Sequence, residues 1–166
     1  MSTSSHPGVE LLRFLGHDWK QLVDELGQRG EGKRESGAFL LAAPGSDVPF
    51  IERCVYFDDI DPNALRGRIA IDGRAFSALW DICDHSGLVV VGDVHTHPGP
   101  SVRQSRIDAG NPMVARVGHV ALIFPHLARR PLRPDEVGVH LYRGDAGWRS
   151  WVRRRCGDTS DDQVTE

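Results

Sequence analysis

The chain has 166 residues, enough for one self-sufficient hydrophobic core but too few for two full domains. Hydrophobic residues make up 40% and charged residues 26%, a globular composition that argues against disorder over most of the length. The 23 acidic and 20 basic side chains give a net charge of -3, so the chain lacks the basic excess of a nucleic-acid-binding protein.

Neither a membrane span nor an export signal is predicted. No apolar run approaches the roughly 20 residues of a transmembrane helix, and the opening MSTSSHPGVE has no basic stretch followed by an apolar one. Cys54, Cys83 and Cys156 are scattered and odd in number, unlike a disulfide framework or a thiolate zinc site. We therefore expect a cytoplasmic protein with reduced thiols.

The first half of the chain predicts a helix followed by two strands. Residues 1 to 9 are small and polar, typical of a flexible N-terminus. HDWKQLVDELGQRG then carries apolar residues at helical spacing, namely Trp19, Leu22, Val23 and Leu26. The apolar run SGAFLLAAPGS and the alternating PFIERCVYFDDI that follows favour two paired strands.

A polar loop and a second helix come next. Residues 58 to 71 contain proline and glycine and read as a loop. Asp72 is placed to cap a helix that Gly87 ends. That helix turns four side chains inward: Phe76, Leu79, Ile82 and Cys83.

The second half alternates strands with short connections. LVVVGDVHTH and GHVALIFP are β-branched runs typical of buried strands, and GPSVRQSRIDAGNP between them predicts a loop with one short helix. VGVHLYRGDAGWRSWV predicts a final hairpin, and residues 157 to 166 an acidic, disordered tail. We therefore expect one domain over residues 10 to 156 of the α/β (α+β sandwich) class, a mixed sheet flanked by helices.

Two histidines mark the end of the first of these runs. His95 and His97 are two residues apart, so their imidazoles share one face of the strand, with Cα atoms roughly 6.5 to 7 Å apart. Pro98 ends the strand and puts the pair at the rim of the sheet, where one metal ion could join them. By itself, the pair is more typical of two hydrogen-bonded histidines on a sheet face than of a metal site, so further ligands are needed.

Asp108 supplies a candidate third ligand. Three protein ligands leave the fourth position of zinc open for water, which is the arrangement of a catalytic site. Ser105 precedes Asp108 by three residues, the spacing of a capping box at a helix start. Capping would aim the Ser105 hydroxyl and the Asp108 carboxylate at one point, so the structural and the catalytic interpretation are compatible.

Taken together, His95-Thr96-His97-Pro98, Ser105 and Asp108 match H-x-H-P-x6-S-x-x-D, so the chain resembles the JAMM (JAB/MPN) family of zinc proteases. The resemblance implies a JAB/MPN-like fold, one catalytic Zn²⁺ and an upstream glutamate. Glu35, two residues before a glycine that opens an apolar strand, matches that glutamate best. Glu31 and Glu52 are weaker candidates.

The resemblance also implies roles for these residues. Glu35 would act as general base on the zinc-bound water, and Ser105 would stabilise the oxyanion. Relatives cleave after the C-terminal tail of ubiquitin or a ubiquitin-like protein, so the expected substrate is such a tail or its conjugates. The compact size resembles free-standing bacterial members, which suggests an antiphage defence operon with E1-like and E2-like enzymes as partners. Residues 58 to 71 and 125 to 136 are candidate walls of the substrate channel.

Two other functions remain open. The chain could be an amidase acting on a sulfur-carrier protein or a small-molecule adduct, or a non-catalytic scaffold that binds a ubiquitin-like protein. Asp93 falls on the same strand face as the histidine pair, where it is either a partner for an imidazole or an ordinary aspartate at the rim. Four other histidines are expected to be structural or exposed: His85, His119, His126 and His140. Trp148 and Trp151 are expected to be packing aromatics of the last hairpin rather than a binding platform.

Overall fold

The computed structural model describes residues 11–152 and contains one six-stranded sheet. In chain order its strands are β1 (Gly37–Ala42), β2 (Ile51–Tyr56), β3 (Val89–Thr96), β4 (Val120–Phe124), β5 (Gly138–Tyr142) and β6 (Trp148–Trp151). The helices are α1 (Gly16–Arg29), α2 (Phe57–Ile60), α3 (Gly73–Ser86) and α4 (Arg106–Gly110). Single 3₁₀ turns span His126–Ala128, Pro134–Glu136 and Gly144–Ala146.

The sheet is mixed, as the sequence predicts. Its spatial order is β2-β1-β3-β4-β5-β6, and β3 runs parallel to β4 while the other neighbours are antiparallel. Both predicted strand pairs, β1 with β2 and β5 with β6, are confirmed. The β-branched runs form β3 and β4 at the centre of the sheet, and β4 is buried along its whole length.

Helices cover both faces of the sheet and create two apolar cores. On one face, α1 packs Leu22 and Leu26 against a cluster that includes Val94 and Leu122. On the other face, α3 packs Leu79 against Phe39 and its neighbours. Every residue of β1 is buried because this strand contacts a core on each side.

The boundaries of α3 follow its capping residues. The Asp72 carboxylate accepts a hydrogen bond from the Arg74 amide at 2.8 Å. The helix ends at Gly87, whose φ of 69° is a left-handed conformation that glycine adopts without steric cost. Leu79 and Cys83 are buried as predicted, whereas Phe76 and Ile82 are only partly buried.

One predicted strand is too long. The segment predicted as the second strand runs to Ile60 and overlaps the predicted loop at residues 58 to 60. Both predictions are wrong there, because the strand ends at Tyr56 and the chain turns into the short helix α2. The reason lies in the tertiary packing, because Phe57 is buried against Phe39 with ring centroids 4.9 Å apart. Arg29 of α1 then holds the two aspartates of this turn, at 2.9 Å from Asp58 and 2.7 Å from Asp59.

The predicted flexible N-terminus and acidic tail lie outside the described residues. Between residues 11 and 152, no helix combines the length and the apolar character needed to cross a lipid bilayer.

Candidate metal centre

The histidine pair lies where the central strand β3 ends. His95 is the next-to-last residue of β3 and is only 8% exposed, and His97 lies just beyond the strand end. The His97 amide still donates to the Phe124 carbonyl at 2.8 Å, so the chain keeps its extended course through the pair. Both imidazoles therefore point from the same face of the sheet, and their Nε2 atoms are 3.1 Å apart.

Helix α4 brings the third candidate ligand to the pair. Its capping box is formed as predicted: the Ser105 hydroxyl accepts from the Asp108 amide at 3.1 Å, and Asp108 Oδ2 accepts from the Ser105 amide at 2.9 Å. The cap fixes the carboxylate at the first turn of the helix. Asp108 Oδ2 then lies 3.7 Å from His95 Nε2 and 3.5 Å from His97 Nε2.

These three spacings fit a single tetrahedral zinc ion. Ligand bonds of about 2.0 to 2.1 Å at the tetrahedral angle place neighbouring ligand atoms about 3.3 to 3.4 Å apart. The spacings of 3.1, 3.5 and 3.7 Å bracket that value. Within residues 11–152, this set is the one group of at least three potential metal ligands.

Asp108 is in the protonation state that binds a metal, whereas at His97 a proton competes with the metal. Burial by itself raises the pKa of the Asp108 carboxyl, but hydrogen bonds from His95, His97 and Ser105 outweigh it and hold that pKa far below its usual range. Burial by itself lowers the pKa of His97, but Asp108 and the Ser101 carbonyl raise it overall. The carboxylate is therefore ionised, whereas a metal must displace a proton from His97 below its raised pKa.

A backbone carbonyl fixes the orientation of the His97 ring. His97 Nδ1 lies 3.0 Å from the Ser101 carbonyl oxygen, which can only accept a hydrogen bond. Nδ1 therefore carries the proton in the neutral ring, and the lone pair of Nε2 points at the other two ligands. Such outer hydrogen bonds commonly orient metal-binding histidines.

A left-handed turn supports the loop that follows His97. His126, Leu127 and Ala128 have φ values of 55°, 54° and 52°, which non-glycine residues rarely adopt. The Leu127 amide donates to the His97 carbonyl at 2.8 Å, and the His126 amide donates to the Gly99 carbonyl at 2.9 Å. The strained turn thereby ties the end of β4 to the ligand loop.

The last hairpin holds the other side of the site. The ring of His140 on β5 donates from Nε2 to the Val102 carbonyl at 3.0 Å, and Gly138 lets that carbonyl approach so closely that a Cβ would overlap it. The Trp148 indole on β6 donates to the Ala109 carbonyl of α4 at 3.0 Å. The sequence predicts only that Trp148 packs in the hairpin. It does not reveal this hydrogen bond to the helix that carries Asp108.

Glu35 is the glutamate that the fold brings to the histidine pair. Gly37 pairs with His95 across β1 and β3, and the Thr96 amide donates to the Ser36 carbonyl at 2.9 Å. Continuing this register by one residue places Glu35 opposite His97. Glu35 also contributes to the raised pKa of His97.

The two weaker candidates lie elsewhere. Glu31 is exposed, in a turn with a φ of 53°, and pairs with Arg34. Glu52 is exposed on the edge strand β2 and lines a different surface depression.

The candidate ligands and Glu35 line one open cleft of about 740 Å³. Residues 68 to 71 form part of its wall, and none of residues 125 to 136 does. Ile107 and Trp148 line it on the side of α4 and the last hairpin.

Three buried polar residues, Asp93, His119 and His140, lie deeper on the same sheet face. Asp93 lines the cleft, is only 3% exposed and accepts a hydrogen bond from Nε2 of the buried His119. Asp93 is thus neither solvated at the rim nor a partner of either imidazole in the ligand set. His140 is buried as well, whereas His85 is exposed.

No model of a known protein family matches the sequence. Two bacterial proteins solved in solution share the fold at 15% sequence identity. One, from Desulfitobacterium hafniense, has a TM-score of 0.59 over 85% of this chain and 90% of that one. The other, from Salinibacter ruber, has a TM-score of 0.58 over 90% and 94%. A JAB1/MPN domain protein from Archaeoglobus fulgidus covers 80% of this chain and 90% of that one at 18% identity, but its TM-score of 0.44 does not establish a shared fold. At these identities, the comparisons bear on fold and not on activity.

Proposed function

We propose that this protein is a zinc-dependent peptidase of the JAMM type. The single observation that carries the proposal is the spacing of three converging ligand atoms, 3.1, 3.5 and 3.7 Å, at the mouth of a cleft. Two imidazoles and one carboxylate suit zinc, and a three-residue set leaves one position for water or substrate. The metal ligands are His95, His97 and Asp108.

The chain supplies both an acid–base group and an oxyanion donor to such a site. A zinc ion held there would lower the pKa of bound water and polarise a carbonyl group. Glu35, opposite His97, takes the proton of the attacking water and returns it to the leaving amine. The Ser105 hydroxyl accepts from the Asp108 amide, so its own proton is free to stabilise the developing oxyanion.

The proposed substrate is the C-terminal tail of a ubiquitin-like protein, attached to a lysine or to a precursor extension. This assignment rests on the JAMM motif, and the open shape of the cleft is compatible with an extended chain. We also propose that the protein is cytoplasmic and acts in antiphage defence. Its partners would be E1-like and E2-like enzymes of the same operon.

The non-catalytic scaffold is the alternative that the site counts against. A binding scaffold has no need of an intact ligand set, a capping box that orients the carboxylate and a glutamate beside the pair. An amidase on a sulfur-carrier or small-molecule adduct would use the same chemistry, and only the substrate separates it from the first proposal.

The deciding experiment uses a ubiquitin-like protein fused through its tail to a reporter, with bound zinc measured in the same samples. We expect one zinc per chain, and we expect Glu35→Gln to slow cleavage by about 10² to 10⁴-fold without releasing zinc. Glu52→Gln is the matched control and should cleave like the wild type. Equal cleavage by Glu35→Gln and wild type, or a wild type without stoichiometric zinc, would refute the mechanism.

A further inference from the structure

The cleft continues beyond the ligand set to a floor formed by Asp93 and Ala121. These two residues pair across β3 and β4, two residues along each strand from the His95 and Ile123 pair. Both line the cleft. Because alternate residues of a strand share a face, Asp93 lies below His95, with Cα atoms roughly 6.5 to 7 Å apart.

One oxygen of Asp93 is held in place, and the other has no protein partner. Oδ1 accepts from His119 Nε2, and within residues 11–152 the second oxygen makes no hydrogen bond or ion pair. The Asp93 side chain is only 4% exposed, and its exposed surface faces the cleft. The second oxygen is not fully enclosed, so a donor that enters the cleft can reach it.

His119 holds the Asp93 carboxylate from the buried side. Its side chain is 1% exposed, and its Nδ1 is buried without any hydrogen-bond partner among the described residues. Its Nε2 faces Oδ1 of Asp93 and donates to it, because a carboxylate oxygen accepts. His119 thus orients the Asp93 carboxylate.

The walls above this floor are mainly apolar. Phe76, Ile107 and Met113 are among the apolar residues that line the cleft, and Ile107 is exposed at its edge. The one Arg or Lys in the lining is Arg68, which is exposed on the rim. A group that enters the cleft would therefore pass apolar side chains and reach a carboxylate that no Lys or Arg of the lining pairs with.

We propose that Asp93 is a specificity-determining residue that binds a cationic amine at the end of an apolar stem, such as a lysine side chain of the substrate near the scissile bond. This inference rests on the proposed function only in taking the cleft as the substrate site. Ammonium binding by Asp93 does not itself require zinc or hydrolysis.

The test compares two small probes that differ only at the tip of the side chain. N-acetyl-lysine methylamide carries an ammonium group, and N-acetyl-norleucine methylamide carries a methyl group in its place. Binding is followed by NMR titration of the purified protein, with its zinc content measured and the methyl group of Ala121 as a reporter at the floor. We expect about tenfold or greater preference for the lysine probe, with a shift of the Ala121 methyl resonance.

Variants then assign the preference to the carboxylate. Asp93→Asn keeps the size of the side chain and an oxygen for His119 but removes the charge, so the preference should disappear while zinc content is unchanged. Asp84→Asn, on the exposed side of α3, is the matched control and should keep the preference.

Three results would overturn the inference: equal binding of the two probes by the wild type, a preference that survives Asp93→Asn, or lysine binding without a shift at Ala121. If Asp93→Asn fails to fold, two wild-type measurements still test the inference: the ratio of the two probe affinities and the shift of the Ala121 methyl resonance. Missing zinc would instead count against the proposed function, so the two failures are distinguishable.

Discussion

Two pairs of histidines near the same sheet face are held in different ways. His95 and His97 turn their Nε2 atoms toward each other and toward Asp108 at the mouth of the cleft. His119 and His140 are buried and each is committed to a protein acceptor, Asp93 or the Val102 carbonyl. Residue type alone therefore does not define a candidate metal site. The ligand atoms must also point at one place and must not already be committed to another partner.

The largest expected effect is loss of metal from the first pair. His97→Ala removes one of three ligands and the ring that Ser101 orients, so we expect no stoichiometric zinc and background cleavage. Bound zinc per chain after dialysis is the measurement. His85→Ala, at an exposed position, should retain zinc, and stoichiometric zinc in His97→Ala would contradict the assignment.

The buried pair should instead affect stability, through His140. Burial lowers the pKa of His140 to about 4, from an ordinary value of about 6.5. The unfolded chain therefore binds more protons between these values, so the free energy of unfolding falls as pH drops from 6.5 to 4, by roughly 3 kcal/mol. Above pH 6.5 this stabilisation is fully present.

Urea unfolding at several pH values measures this effect. His140→Gln, which retains one donor and one acceptor, should flatten the dependence between pH 4 and 6.5. An unchanged slope in the variant would show that other groups cause the acid destabilisation.

A smaller effect concerns proton competition at the metal centre. The pKa of His97 is raised in the metal-free protein, so zinc must displace a proton below that pKa. We expect zinc affinity to fall by up to about tenfold per pH unit, starting above the ordinary histidine range of about 6.5. Competition titrations with a chelator of known affinity from pH 5 to 8 test this, and an affinity independent of pH would refute it.

The smallest expected effect on stability is that of the α4 cap. Ser105→Ala removes the hydroxyl that caps the Asp108 amide and should cost about 1 kcal/mol in the free energy of unfolding. If the hydroxyl also stabilises the oxyanion, cleavage falls by about 10² to 10³-fold while zinc is retained. A variant that loses stability but keeps its cleavage rate would limit Ser105 to capping.

Much of the site could be predicted because its signals are local. The spacing of His95 and His97 fixes their common face through the two-residue period of a strand, and Ser105 and Asp108 form their capping box within one helical turn. The predicted helices and strand pairs follow from the same short periods. The overlong second strand is the exception, because the burial of Phe57 against Phe39 is a long-range contact.

By itself, the sequence determined the candidate ligand set as a motif, the element on which each candidate ligand lies, and a preference for Glu35 among three glutamates. Only the tertiary structure decided which of these carboxylates lies opposite His97, because that depends on the pairing of β1 with β3. The Asp93 and His119 pair likewise joins residues 26 positions apart in the chain. Periodicity and capping act within a few residues, whereas the register of distant strands depends on how the whole core packs.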